Sequence, residues 1–410
     1  VGSEMCIRDR GIMAYRYRVN DGPLSAAIPI GDGLVPGSPT VRTAEIALTG
    51  LADGSYTVFV EGQNFAGDWQ ATPTASRRWT VDTGLVRLVL NEVLADNRGS
   101  FNHEGTFPDY IEICNYGAAE ANLGGMSLSD DPSLPTRYVF PPNTLLPAGE
   151  CLLLFADLQN ETTGIHLGFS LDADGEGVWF YDSAANGGAL LDQVEFGIQI
   201  AEHSIGRPDP RALHFDAEPW SLNLPTPGAP NVRQRTGEVR TLLINEWLTA
   251  GEVLFVDDWF ELYNPDPLPV AVGGLFLTDR PVGNSPGHQI APLSFIAGDG
   301  YLRFVADRKP EAGANHVPFS LDADQDRLAV LDGDLNVIDQ VIFGPQAADI
   351  SQGRWSSSPT GLDYFILPTG GVANGQEGNS TVPGFDNALN LLRYLRITEI
   401  LFEPVGGGEY

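Results

Sequence analysis

Two acidic stretches of this 410-residue chain combine residue types and spacing that could do chemistry. The hexapeptide FSLDAD occurs at 169–174 and again at 319–324. Carboxylates follow at every second position: Asp172, Asp174 and Glu176 in the first stretch, and Asp322, Asp324 and Asp326 in the second. Ca²⁺ binds several oxygen ligands, and carboxylates at this spacing are typical of a calcium loop. They are equally typical of a tight turn, because Asp and Gly tolerate turn dihedrals.

The residues further along both stretches exclude an EF-hand. That loop needs Gly at its sixth position and a bidentate Glu at its twelfth. The first stretch has Gly177 but Ser183, and the second has Arg327 and Gly333. We therefore interpret both as hairpin connections between FSL and the apolar strand that follows. A weak calcium site of another geometry is the alternative, and no other cofactor is predicted.

Other residues with catalytic or metal-binding potential occur in patterns that favour structural roles. His166 and His316 each lie three residues before FSLDAD, but no HExxH or CxxC pattern accompanies them. We expect them to pack or to form hydrogen bonds at the base of the turn. Ser204 and Ser351 lie in S-x-G-R, which lacks the G-x-S-x-G context of a nucleophile. No catalytic residue is therefore predicted.

The arginines of S-x-G-R favour a fixed ion pair, because a planar guanidinium suits bidentate contact with a carboxylate. Both arginines, Arg207 and Arg354, recur at the same place in their surroundings. The candidate partners are repeated carboxylates, such as Glu92 and Glu246 or Asp109 and Asp258. Such a pair would fasten strands together.

These motifs belong to a long internal repeat. The matching segments, in the same order, are LVLNEVL (88–94) with LLINEWL (242–248), DYIEICN (109–115) with DWFELYN (258–264), FSLDAD with its copy, LDQVEFG (191–197) with IDQVIFG (338–344), SIGR (204–207) with SQGR (351–354), and LPTPGAPN (224–231) with LPTGGVAN (367–374). LRITEIL (395–401) opens a third copy. We call residues 85–233 the first copy and residues 240–376 the second copy.

The elements that carry the motifs are predicted to be strands. Short runs rich in Val, Ile, Leu, Phe and Tyr alternate with clusters of Gly, Pro, Asp and Asn. The predicted fold is all-β, as tandem immunoglobulin-like antiparallel β-sandwiches. Residues 12–84 resemble a partial fibronectin-III or bacterial immunoglobulin-like module, since Leu51, Gly54 and Tyr56 have the spacing of a tyrosine corner.

The remaining segments are interpreted as follows. Residues 1–10 show no periodicity and resemble translated adaptor read-through, so they are expected to be non-native and are excluded, with Cys6. Residues 377–395 are predicted to be a linker, and residues 396–410 the start of a truncated third unit. The chain is therefore expected to be an interior fragment of a larger protein.

The charge excludes two classes of partner. The formal net charge is −31, spread along the chain. Nucleic acid and anionic membrane surfaces attract clustered Lys and Arg, so neither is an expected partner. The apolar runs are too short for a membrane span, and no insertion is predicted within this sequence.

The order of the repeated motifs resembles that of bacterial lamin-tail domains. Besides the pairs above, GGMSLSDD (124–131) and GGLFLTDR (273–280) supply a seventh element. The resemblance covers both copies nearly end to end, and residues 396–410 as a stub. It implies an immunoglobulin-like sandwich without known catalysis, found in large secreted or surface proteins, sometimes beside spore-coat kinase-like or nuclease domains.

Two cysteines indicate a cross-link in the first copy. Cys114 aligns with Tyr263, and Cys151 aligns with Tyr301. Because both positions change together, we predict that they are neighbours joined by a disulfide. Two unlinked buried thiols are the alternative. A disulfide would indicate an oxidising compartment.

The sequence therefore favours a non-enzymatic role. The expected function is that of binding or spacer modules in a large secreted or cell-surface bacterial protein. The expected partner is an unidentified protein, glycan or matrix component, and the expected location is extracellular or at the cell surface. The alternative is an accessory region of a secreted enzyme, kinase-like or hydrolytic, whose catalytic domain lies elsewhere.

Overall fold

A computed structural model describes residues 12–29, 48–64, 66–158, 162–207, 220–253, 255–281, 287–355 and 358–374. Antiparallel strands dominate these ranges, which confirms the predicted all-β class of immunoglobulin-like sandwiches. Within them, helical structure is confined to three 3₁₀ turns: Ala184–Asn186, Val239–Thr241 and Pro310–Ala312. The predicted leader, Cys6, the linker and the start of a third unit lie outside the described residues.

The segment before the first copy forms two small sheets. Its strands are β1 (Ile12–Val19), β2 (Ile28–Pro29), β3 (Gly54–Tyr56), β4 (Val58–Asn64), β5 (Thr74–Ala75) and β6 (Trp79–Val81). One sheet has the order β2-β1-β4-β5, and the other pairs β3 with β6. The Tyr56 hydroxyl donates a hydrogen bond of 2.6 Å to the Ala52 carbonyl, which is the tie expected of a tyrosine corner.

The first copy contains two facing sheets and a short ribbon. Its strands are β7 (Leu88–Leu94), β8 (Asp109–Asn115), β9 (Ala121–Asn122), β10 (Ser127–Ser129), β11 (Tyr138–Val139), β12 (Leu145–Leu146), β13 (Cys151–Ala156), β14 (Glu176–Tyr181), β15 (Leu190–Phe196), β16 (Ser204–Gly206), β17 (Ser221–Leu224) and β18 (Val232–Arg233). The six-stranded sheet has the order β13-β8-β7-β16-β17-β18, and the four-stranded sheet has the order β11-β10-β14-β15. The ribbon pairs β12 with β9.

The strand order of the second copy follows the same plan. Its strands are β19 (Leu243–Leu248), β20 (Trp259–Tyr263), β21 (Val270–Ala271), β22 (Phe276–Thr278), β23 (His288–Gln289), β24 (Phe295–Ile296), β25 (Tyr301–Val305), β26 (Asp326–Leu331), β27 (Val337–Phe343), β28 (Ser351–Trp355) and β29 (Ser358–Phe365). Its sheets are β25-β20-β19-β28-β29 and β23-β22-β26-β27, with the ribbon β21-β24.

Alternation along the strands builds each core between the two sheets. In the first copy, Leu90 and Ile113 of the larger sheet pack against Leu128, Val178 and Phe180 of the smaller one, and all five are fully buried. Side chains at every second position share one face of a strand, so the intervening residues point to the outer face. In β7 and β8 those outer residues include acidic side chains that are also buried.

The two copies pack directly against each other. Ile198, which follows β15 of the first copy, belongs to the core of the second copy, and Phe295 of β24 belongs to the core of the first. The Gly197 amide donates to the Pro292 carbonyl (2.7 Å), and the Phe295 amide donates to the Ile198 carbonyl (2.9 Å). A side chain at Gly197 would collide with Ser294, so this close approach requires glycine. Burying a side chain the size of Ile or Phe contributes roughly 2 kcal/mol.

Candidate functional site

A pair of buried carboxylates lies on the outer face of the larger sheet in each copy. Glu92 of β7 faces Glu112 of β8, and Glu246 of β19 faces Glu261 of β20. All four side chains are fully buried. The repeated motifs N-E and D-[YW]-[IF]-E contain the two glutamates of each pair, but only Glu92 and Glu246 were predicted to have a role, as partners for arginine.

A β-bulge places the first donor to each pair. The register between β7 and β8 shifts between Leu90 and Glu92, so Asn91 is the extra residue. Its side-chain amide donates to Glu112 Oε1 at 2.6 Å. In the second copy, the shift between Ile244 and Glu246 leaves Asn245, which donates to Glu261 Oε1 at 2.7 Å.

The Pro-Thr-x-Gly-x-x-Asn segment covers the pair in the first copy. Glu92 Oε1 accepts hydrogen bonds from the Ser204 hydroxyl (2.6 Å) and the Thr226 amide (3.0 Å). Glu112 Oε2 accepts one from the Gly228 amide (2.5 Å). The Asn231 side chain ends the cover by donating to the Asn91 and Arg207 carbonyls.

The second copy repeats this cover residue by residue. Ser351 and Thr369 donate to Glu246, and the Gly371 amide donates to Glu261. The Asn374 side chain donates to the Asn245 and Arg354 carbonyls. The repeated Thr and Gly of this motif are therefore explained by the buried carboxylates beneath them, and the repeated Asn by the backbone carbonyls that it joins.

Burial sets the protonation of these groups. Burial raises the pKa of Glu112 and of Glu261 to about 7, against an ordinary value of 4.5. It also raises the pKa of Glu92 and Glu246. Paired carboxylates with raised pKa values can serve as acid and base, but these are fully buried and hydrogen-bonded to the segment that covers them. The arrangement instead fastens that segment to the sheet.

The predicted partners of the repeated arginines need correction. Arg207 pairs with Asp192 of β15, through contacts of 2.7 and 2.9 Å to its two carboxylate oxygens, and not with Glu92 or Asp109. Arg354 likewise pairs with Asp339 of β27 (3.1 and 2.9 Å), and not with Glu246 or Asp258.

The geometry of the sandwich explains this choice. Asp192 belongs to the smaller sheet and also accepts the Leu90 amide of the larger sheet (2.9 Å). The Arg207 Nε donates to the Leu90 carbonyl (3.0 Å), so one backbone residue is held by both members of the pair. Ile244 is held in the same way in the second copy. The pair therefore joins the two sheets of each sandwich, whereas Glu92 and Glu246 face the covering segment.

Asp109 and Asp258 hold loops instead. Asp109 accepts the Asn97 amide (3.0 Å), and Asp258 accepts the Leu321 amide (3.2 Å). Burial raises the pKa of both carboxyls to about 6.

The acidic stretches form turns whose carboxylates cap their own backbone. Asp172 Oδ1 accepts the Asp174 amide (2.9 Å), and Glu176 Oε1 accepts the Asp172 amide (2.7 Å). Asp322, Asp324 and Asp326 repeat both bonds, each at 2.9 Å.

The hairpin interpretation of these turns was wrong in one respect, because FSL forms no strand in either copy. Phe169 and Leu171 instead insert into the first core from an irregular segment, and Phe319 and Leu321 do the same in the second. The turn therefore leads from a core-filling segment into the following strand.

Potential metal ligands seldom converge in the described ranges. Three ligand atoms of His, Cys, Asp or Glu come within 4.8 Å of one another only at Glu112, Cys114 and Cys151. The two sulfurs there form a disulfide, which leaves them unable to bind a metal as thiolates. His166 and His316 form hydrogen bonds to Asp157 (2.8 Å) and Asp307 (3.0 Å) at the base of each turn.

Cys114 and Cys151 lie directly opposite each other on β8 and β13 and are joined by the disulfide. In the second copy, the rings of Tyr263 and Tyr301 stack at the equivalent place, with centroids 4.5 Å apart. The same cross-strand contact is thus covalent in one copy and aromatic in the other.

Comparison with known proteins gives one family. Residues 82–197 match the family model described as Lamin Tail Domain. The match spans β7 to β15 and supports the resemblance for this part of the chain, including its immunoglobulin-like fold. No curated protein matches the chain. In the described part, no helix has the length and apolar character needed to cross a membrane.

Proposed function

We propose that the chain is a non-catalytic, extracellular scaffold from a large bacterial protein, in which two lamin-tail-like sandwiches hold binding surfaces in a fixed relation. The observation that carries this proposal is the reciprocal packing of Ile198 and Phe295 into each other's cores. Domains joined only by a flexible linker would not bury apolar side chains in each other's cores. Such shared burial restricts relative motion between domains.

An extracellular or cell-surface location is supported by the Cys114–Cys151 disulfide, since disulfides persist in oxidising compartments. The non-catalytic role is supported by the burial of the paired glutamates beneath a structural cover. The partner that fits this role is a protein, glycan or matrix component.

Small-angle X-ray scattering of the whole chain tests the scaffold. The wild type is expected to fit one compact arrangement of the two copies, whereas Ile198→Asp combined with Phe295→Asp is expected to increase the maximum dimension. An Asp at either place would bury an unpaired charge in the neighbouring core. A wild-type profile that requires a broad ensemble of separated copies would contradict the scaffold.

We further propose that the scaffold requires no cofactor, because the acidic turns use their carboxylates as backbone caps. Calorimetric titration with millimolar calcium is expected to give no binding heat and no thermal shift. The control is Asp172→Ala/Asp174→Ala with the equivalent pair in the second copy. Heat that this quadruple variant abolishes would establish calcium sites.

A further inference from the structure

The second copy contains an open cleft beside its acidic turn. Its volume is 820 Å³, and its lining includes Thr249, Thr278, Asp279, Phe319 and Asp326. Asp279 follows β22 and Asp326 opens β26, and because these two strands are antiparallel, both carboxylates lie at the same end of the smaller sheet's central pair.

The first copy shows which group fills this place. Arg137 lies over the Phe169 ring, with its guanidinium carbon 5.4 Å from the ring centroid. Its Nη1 is 2.5 Å from Asp130 Oδ1. An arginine is thus held there between a carboxylate and an aromatic face, as expected for a weakly hydrated planar cation.

Strand register identifies the equivalent residues. Tyr138 pairs with Leu128 in the first copy, and His288 pairs with Leu277 in the second. The residue before His288 is Gly287, so the arginine side chain has no counterpart there. The residues around Arg137 do have counterparts in the second copy: Asp279 aligns with Asp130, Phe319 with Phe169, and Asp326 with Glu176.

Two arginines of the second copy, Arg280 and Arg308, line the cleft, and neither reproduces that contact. Arg280 reaches Asp279 only at 3.7 Å, and its side chain is 83% exposed. Arg308 donates to the Ser320 hydroxyl at 2.6 Å. The Asp279 side chain is 21% exposed, and burial raises its pKa, whereas the neighbouring Arg280 lowers it and Asp326 raises it to a smaller extent. Asp279 and Asp326 therefore place two carboxyl groups in a partly desolvated cleft.

Two residues of the lining, Thr249 and His288, each carry a buried polar atom without a partner among the described residues. Thr249 is 4% exposed, and its Oγ1 has no hydrogen-bond partner among the described residues. The Nε2 of His288 is also buried without a partner there, and burial lowers the pKa of this imidazole, which favours the neutral ring. Buried polar atoms are normally paired, and a guanidinium brings five N–H donors and no acceptor.

We propose that the cleft of the second copy binds an arginine side chain presented by a partner protein. Asp279 receives the guanidinium, Phe319 provides the aromatic face, and Thr249 with His288 accept the remaining N–H groups. The inference rests on the proposed binding role of the scaffold. The scattering experiment involves no probe, so failure of the scaffold and failure of this site are distinguishable.

The test is a titration of the whole chain with N-acetyl-L-argininamide, followed by amide NMR. We expect shifts at residues 278–280 and 319–326, with a dissociation constant on the order of 1 mM for so small a ligand. The citrulline analogue, which has the same shape without the charge, is expected to give no shifts. Asp279→Asn is expected to weaken binding at least about tenfold, the loss of one charge-assisted pair. Asp326→Asn is the second variant if Asp279→Asn fails to fold.

The first copy provides the matched control. Arg137→Ala empties the equivalent place, and we expect it to create a second set of shifts near Asp130 and Phe169. Equal binding of arginine and citrulline analogues, undiminished binding by the Asp279→Asn variant, or no binding by wild type would overturn the proposal. Binding seen only after Arg280→Gln would also overturn it, because Arg280 would then be the native occupant.

Discussion

Replacement of one buried glutamate by glutamine should remove a defined part of the pH dependence of folding. Glu112 is fully buried, and burial raises its pKa from 4.5 to about 7. Below pH 4.5 the carboxyl is protonated in both the folded and the unfolded chain, so it contributes no pH dependence. Between pH 4.5 and 7 the unfolded chain ionises first, so the free energy of unfolding falls as pH rises. Above pH 7 the full penalty of about 3 kcal/mol is present, at 1.36 kcal/mol for each pKa unit.

Glu112→Gln cannot ionise and should lack this fall. The NH₂ group of the glutamine cannot accept a hydrogen bond, so either the Asn91 side chain or the Gly228 amide loses its acceptor. We therefore expect the variant to be about 1–3 kcal/mol less stable than the wild type at pH 4. From pH 4 to pH 8 the difference in the free energy of unfolding between the variant and the wild type should shift by about 3 kcal/mol in favour of the variant. Glu261→Gln should behave alike in the second copy, where burial raises the pKa of that carboxyl to about 7.

The assay is urea unfolding at a series of pH values and fixed ionic strength, because the net charge of −31 adds its own repulsion. Glu195→Gln, at an exposed position of β15, is the matched control and should leave the pH profile unchanged. Parallel stability curves for wild type and Glu112→Gln from pH 4 to pH 8 would refute the reasoning.

Two further changes test the covalent and the apolar links. Removing the disulfide by Cys114→Ala with Cys151→Ala should lower the free energy of unfolding by about 4 kcal/mol. The reason is that the bond, which closes a sequence separation of 37 residues, no longer restricts the entropy of the unfolded chain. Urea unfolding measures this loss. Phe295→Ala should lower stability by about 3–5 kcal/mol, because it leaves a cavity in the first core, and should split the calorimetric transition into two.

Each of these changes has an internal comparison. Reductant should lower the stability of the wild type but not that of the Cys114→Ala/Cys151→Ala variant, since the second copy has Tyr263 and Tyr301 where a disulfide would be. A further loss when reductant is added to that variant would contradict the assignment. Leu145, the counterpart of Phe295 in the first copy, is half exposed, so Leu145→Ala should change stability little. A single undivided transition in Phe295→Ala would indicate that the copies are coupled by other contacts.

The repeats in the sequence were sufficient to predict much of the fold. Comparison of the two copies predicted strands, sandwiches and the neighbouring Cys114 and Cys151, since these follow from local alternation and from paired change. The tie between Tyr56 and Ala52 could also be anticipated, because its partners are close in sequence.

What could not be predicted depends on how separate sheets are brought together. Asp192 was overlooked as the partner of Arg207 because the two meet only when the smaller sheet packs on the larger one. The cover over Glu112 comes from Gly228, a backbone amide without a side-chain signature. Ile198 packs in the core of the second copy, but nothing in the sequence distinguishes it from an ordinary apolar residue after a strand.

The central claim is that the two copies form one rigid pair. Residual dipolar couplings of backbone amides, measured on the whole deuterated chain, test it most directly. The account predicts that one alignment tensor fits the described strands of both copies, β7 to β18 and β19 to β29, in the relative orientation set by Ile198 and Phe295. Two tensors of different magnitude would mean that the copies move independently, and would contradict the account.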